Sequence, residues 1–201
     1  MSNYRLLFIA TTVASTLALT GCSTPTTVID AKDQSSNIVA GLSYADFNGA
    51  SSILIDDLNA SPGFDRADGS RIIVYMGNIE NDTMQRIDTD QLAKGLRVKM
   101  LRSGKFAMTT AFGEDSATKD FRDLKDSDMV DQSTVNKGQT VIAPDFSMTG
   151  KILERTNRLD NGDTRLDYYF QLSLTHLKTG IAYWEGEEVV GKIADGSSVN
   201  W

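Results

Sequence analysis

The stretch that decides the fold is FSMTGKILERTNRLDNGDTRLDYYFQLSLTHLKTGIAYWEGEEVV, residues 146–190. Its centre, Asp160-Asn161-Gly162-Asp163, holds the Asn-Gly pair that favours a tight hairpin turn, because both central residues of that turn need positive φ. Phe146–Arg155 reads as the strand entering the turn. Arg165–Leu177 returns with period two: Tyr168, Phe170, Leu172 and Leu174 share one face, and Tyr169, Gln171, Ser173 and Thr175 the other. Lys178-Thr179-Gly180 turns the chain again into Ile181–Val190. These residues predict a three-stranded antiparallel meander.

Upstream, the period changes to 3.6. Phe47, Ala50, Leu54 and Leu58 lie on one face of a helix predicted over 44–60, ended by Ser61-Pro62-Gly63. Arg71–Met76 predicts a short strand, apolar on both faces as in the middle of a covered sheet. A second helix starts at Asp88 or Thr89, carries Leu92, Leu96 and Met100, and stops at Ser103-Gly104. Phe106–Phe112 predicts another strand. Between 113 and 138 the pattern thins, with Phe121, Leu124 and Met129 pointing to a short helix whose outer face is solvated. The fold class is therefore α/β: a mixed sheet that ends in an antiparallel meander, with helices packed on it.

The N-terminus sets the compartment. Arg5 precedes an apolar run from Leu6 to Leu19, and Leu19-Thr20-Gly21-Cys22 follows. Fourteen residues fall short of the roughly 20 that span a bilayer but suit a secretory leader. Residues 1–21 are expected to be a signal peptide cut between Gly21 and Cys22. Leu-Thr-Gly-Cys resembles the bacterial lipobox, which implies acylation of the Cys22 thiol and an outer-membrane destination, since Ser23 rather than an aspartate follows. Residues 22–43 read as a flexible tether of Ser, Thr, Asn, Asp and Gln. As a coil it spans roughly 25 Å. Residues 44–201 form one domain, which holds no further cysteine and so no disulfide.

Charge narrows the partners. Without Arg5 the chain has 19 bases against 27 acids, a net of −8, so bulk electrostatics will not hold nucleic acid or an anionic membrane surface. Catalytic signatures are thin. His176 is the single histidine and no Gly-x-Ser-x-Gly elbow presents a serine to it. One histidine without a free cysteine falls short of a zinc set, the Asp160–Asp163 loop lacks the twelve-residue calcium frame, and no phosphate- or dinucleotide-binding glycine motif occurs. Asn81-Asp82-Thr83 reads as a loop. The expectation is a non-enzyme with no metal, cofactor or small-molecule substrate.

Several short pieces occur in one order: Val74 through Asn81 and Thr83, Ile87-Asp88-Thr89, Ser103-Gly104-Lys105-Phe106, Ala143-Pro144-Asp145-Phe146, Thr149-Gly150-Lys151-Ile152, Tyr168-Tyr169-Phe170, Leu177-Lys178-Thr179-Gly180 and Trp184-Glu185. In this order, behind a lipobox, they resemble the LpoB family, outer-membrane lipoproteins that activate class A penicillin-binding proteins. The resemblance implies a domain similar to the N-terminal domain of TolB, docking on a bifunctional peptidoglycan synthase. Members often carry a proline-rich tether, where this one contains only Pro25, and a tyrosine where this chain has Thr149. Thr149 and Tyr169, on the outward side of the meander, are the candidate partner contacts. The alternative is a structural component of an outer-membrane assembly, since secretion-channel lipoproteins of the curli type use a related domain.

Overall fold

The computed structural model describes residues 28–33, 39–110, 120, 128–131, 133 and 142–195. Contacts divide the chain after Asp30, and the helices and strands of the described residues lie in the second unit, Ala31–Trp201.

The hairpin forms, but by a different turn from the one with Asn161 and Gly162 both central at positive φ. Asp160 and Asn161 are the central residues, and Gly162 alone in the loop takes positive φ, 92°, with its N–H bonded to the carbonyl of Leu159 at 3.0 Å. Asn161 donates to the Asp163 carboxylate and accepts from the Asp163 N–H, an Asx turn that closes the loop on itself. On either side stand β3 (Phe146–Arg158) and β4 (Thr164–His176), paired without interruption from Arg158↔Thr164 to Phe146↔His176. The chain then turns into β5 (Ile181–Ala194), antiparallel to β4. The alternation read from the sequence holds: Leu166, Tyr168, Phe170, Leu172 and Leu174 are buried, while Tyr169, Gln171, Ser173 and Thr175 are half-buried.

Helix α1 (Tyr44–Ala60) starts at a capping box. The Ser43 side chain accepts from the Asp46 N–H, and the Asp46 carboxylate accepts from the Ser43 N–H at 2.7 Å. It buries Ala50, Leu54, Ile55 and Leu58. Helix α2 (Thr89–Ser103) is capped by the Asp88 carboxylate, which accepts from the N–H groups of Asp90 and Gln91, and it ends on Gly104 at φ 79°. Leu96 and Met100 are its buried residues. Strands β1 (Ile72–Asp82) and β2 (Phe106–Thr109) flank it in sequence and pair in parallel. β1 also pairs in parallel with β3. The five strands lie in the order β2-β1-β3-β4-β5. This is a mixed sheet ending in the antiparallel β3-β4-β5 meander, with both helices packed on it, as the sequence predicts.

The core fills the space between helices and sheet. Leu58, Val74, Met100, Phe106, Tyr168 and Leu174 are fully buried, and each such side chain contributes about 1.5–3 kcal/mol of hydrophobic stabilisation. Phe47 of α1 meets Phe170 edge-on at 5.3 Å between ring centres. Trp184 of β5 is tied to α1 by a 2.8 Å bond from its indole N–H to Asp57.

Four expectations change. The strand expected over Arg71–Met76 runs on to Asp82, because Gly77 and Asn78 form a bulge facing the single residue Thr149 and interrupt the apolar pattern. The strand is not covered alike on both faces: Ile72 and Val74 are buried, whereas Ile73 and Tyr75 on the other face are half-buried. Residues 39–42, read as tether, are held against the domain. Lys192 Nζ reaches the carbonyls of Val39 (3.1 Å) and Gly41 (2.7 Å) and the Asp46 carboxylate (2.5 Å). The strand expected over Phe106–Phe112 ends at Thr109 within the described residues. Phe112, and the helix expected at Phe121 and Leu124, lie outside them. Met129 is exposed.

Candidate functional site, the open face of the meander

Side chains that point away from the helices form rows across β3, β4 and β5. The register aligns Thr149 with Ser173 and Glu185, Lys151 with Gln171 and Glu187, and Leu153 with Tyr169 and Val189. The next row holds Arg155 and Asp167. Neither α1 nor α2 lies over this face.

Its electrostatics are largely settled by neighbours. Lys151 reaches Asp82 at 3.0 Å and Glu80 at 3.4 Å, and the Asp82 hydrogen bond raises its pKa above the usual lysine value. The Gln171 amide donates to Glu187 at 2.7 Å, and the Ser173 hydroxyl to Glu185 at 3.4 Å. Arg165 Nε bonds both oxygens of Asp167 at 3.0 and 2.9 Å. The Arg155 guanidinium carbon stands 5.4 Å from the centre of the Tyr169 ring, a cation–π distance. The face thus offers an aromatic ring with a cation beside it, a polar row, and half-exposed Val189.

Both sequence-derived contact candidates fall here. Thr149 is exposed, opposite the β1 bulge; Tyr169 is half-buried in the row of Leu153 and Val189. They share the face without touching, four residues apart along the sheet, roughly 13 Å. Sequence reasoning missed Arg155 and Lys151. The signal was available, since Arg155 has the parity of Thr149 along β3. Which β4 residue it would flank depends on register.

Elsewhere the chemistry-bearing residues are engaged structurally. His176 Nδ1 lies 2.9 Å from the Thr179 hydroxyl, and its ring packs on Phe146 and Tyr183. Asn81 accepts from both the N–H and the hydroxyl of Thr83 and donates to the carbonyl of Gln85; Asn81 and Asp82, read as loop, are the last residues of β1, and the loop begins at Thr83. Among the described residues no cluster of His, Cys, Asp and Glu is arranged to hold a metal, and no helix is long and apolar enough to cross a membrane. Gly21 and Cys22 lie outside the described residues.

No curated protein matches the sequence. Among solved structures, the LpoB C-terminal domain from Salmonella enterica is 17% identical, covering 72% of this chain and 98% of that one at a TM-score of 0.46. The LpoB C-terminal domain from Escherichia coli is 16% identical over 73% of this chain and 99% of that one, TM-score 0.44. The solution structure of E. coli LpoB is 14% identical over 88% and 87%, TM-score 0.42. At these scores the structural likenesses add no weight. The protein-family comparison decides, because the family described as peptidoglycan-synthase activator LpoB matches residues 46–190, well over half the chain. The chain belongs to the LpoB family of peptidoglycan-synthase activators.

Proposed function

We propose that this protein is an outer-membrane lipoprotein, anchored through acylated Cys22, whose domain binds a class A penicillin-binding protein in the periplasm and raises its peptidoglycan-synthase activity. The observation that carries the reading is the family match over residues 46–190. That family is named for activating a synthase, not for turnover of its own. A docked domain acts by favouring the active conformation of its partner, to the extent that it binds that conformation more tightly.

The open face of the meander is the proposed docking surface, with Thr149 and Tyr169 as contacts. Its make-up fits that role: an aromatic ring flanked by Arg155, and a polar surround. Residues 1–21 are the cleaved signal, 22–43 join the anchor to the domain, and 44–201 carry the partner surface. Residues 39–42, held by Lys192, fix where that connection leaves the domain.

The test is a lipid II polymerisation assay with purified class A synthases of the source organism, with and without the soluble protein. Stimulation that is lost in Tyr169→Ala, with Tm unchanged, is the expected result. If no class A synthase is bound or accelerated, the activator reading is wrong.

A further inference from the structure

Beyond Tyr75, one edge of β1 has no neighbour. The last pair with β2 is Tyr75↔Thr109, yet β1 continues to Asp82. Its other side is taken by β3, up to Asp82↔Leu153. Among the described residues nothing pairs with the β2 side of Met76–Asp82, a free edge of roughly 23 Å. An unpaired strand edge is a template for another extended chain.

This edge borders an open groove of about 1910 Å³, counting the space open to solvent, whose opposite wall is α2. Asp90, Ala93, Lys94 and Arg97 project into it from one helix face, at the spacing i, i+3, i+4 and i+7. The two acids that line the groove have compensation: Glu80 is paired with Lys151, and Asp90 sits in the first turn of α2, where the helix end is positive. The two bases have none, for among the described residues neither Lys94 nor Arg97 forms an ion pair. Arg97 Nε is buried without any hydrogen-bond partner. A buried donor left unmatched costs on the order of 1–3 kcal/mol, more when charged. The guanidinium fork is the shape that a carboxylate fills with two parallel bonds.

We infer that this groove binds an extended, acidic segment of a partner protein, added as a strand along Met76–Asp82, with a carboxylate on Arg97 and Lys94. The free edge calls for a peptide backbone and the two unmatched cations call for acid side chains on it. A small anion would meet Arg97 but leave the edge unpaired. This site goes beyond the synthase reading and does not rest on it, since the chemistry is the same whichever protein supplies the segment.

The test uses the soluble chain from residue 22 onward, Cys22→Ser, labelled with nitrogen-15 and followed by NMR. The probes are a capped seven-residue peptide alternating Glu and Val, its Lys/Val counterpart, and inorganic phosphate. The acidic peptide should shift the amides of residues 76–82 and the Arg97 Nε–H together and saturably. The basic peptide should shift neither, and phosphate should move Arg97 alone. Lys94→Glu, at an exposed position that leaves the fold intact, should weaken the acidic peptide at least roughly tenfold, and Arg97→Gln should do the same. Absence of a saturable shift over 76–82, an equal response to the basic peptide, or the full pattern with phosphate would each overturn the inference.

Discussion

Replacing Lys192 by Met should destabilise the domain more than its position near the end of an edge strand implies. The ammonium is 12% exposed and the Asp46 carboxylate it meets 8%, so this is a buried pair. Removing one partner of such a pair typically costs about 3–5 kcal/mol, because the other charge is left in a poor solvent. Asp46 would keep two donors, the Ser43 N–H and hydroxyl at 2.7 and 2.8 Å, which places the cost near the lower end, about 3 kcal/mol. The carbonyls of Val39 and Gly41 would lose their donor too, but both lie where water can replace it. With a urea m-value of about 2 kcal/mol/M, the unfolding midpoint should fall by roughly 1.5 M. A double-mutant cycle then isolates the pair. On an Asp46→Leu background, which already forfeits about 1 kcal/mol of helix capping, Lys192→Met should cost less than about 1 kcal/mol, a coupling of roughly 2 kcal/mol. Hydrogen exchange at Leu42, whose N–H bonds to Gln85 at 2.9 Å, should accelerate in the single mutant. A midpoint shift below about 0.3 M, the scale of an exposed ion pair, would refute the reasoning.

Gly150→Ala should destabilise by about 1–3 kcal/mol, read as a lowered Tm, since its Cβ would fall 2.7 Å from Leu172 Cδ2 and 2.9 Å from the Gln171 carbonyl. Burial of the Tyr168 phenol, foremost, pushes its pKa up to about 12. The folded state therefore holds this proton more tightly than the unfolded chain, and stability that is complete below pH 10 should drain away between pH 10 and 12, by on the order of 2 kcal/mol. Tyr168→Phe should flatten that slope while losing the bonds to Gln85 and Ala40. Cys22→Ser should leave a folded, soluble protein that fractionates with the periplasm, and retention in the outer membrane would rule out Cys22 as the anchor.

What the sequence showed and what it hid divide along the range of the interactions. The meander was legible because its determinants are local: Asn161-Gly162 selects the turn, and strict alternation from Leu166 to Leu174 selects the buried face. Helix ends were legible for the same reason, Asp88 and Gly104 each satisfying groups within three residues. The length of β1 was hidden because Gly77-Asn78 shifts its parity, so Met76 and Ile79 serve the same face although they are three residues apart, one out of phase. The grip on residues 39–42 was hidden as well. Lys192 lies about 150 positions away, and nothing in its neighbourhood marks one lysine among others as a buried clamp. The candidate surface sits between these cases. That Thr149 and Tyr169 face outward follows from parity, but their being two rows apart, with Arg155 against the Tyr169 ring, follows from a register that no single strand encodes. Arg97 is the extreme. As one more polar residue on a helix read for Leu92, Leu96 and Met100, it carries no sequence signal, and its lack of a partner exists only once α2 is laid beside β1.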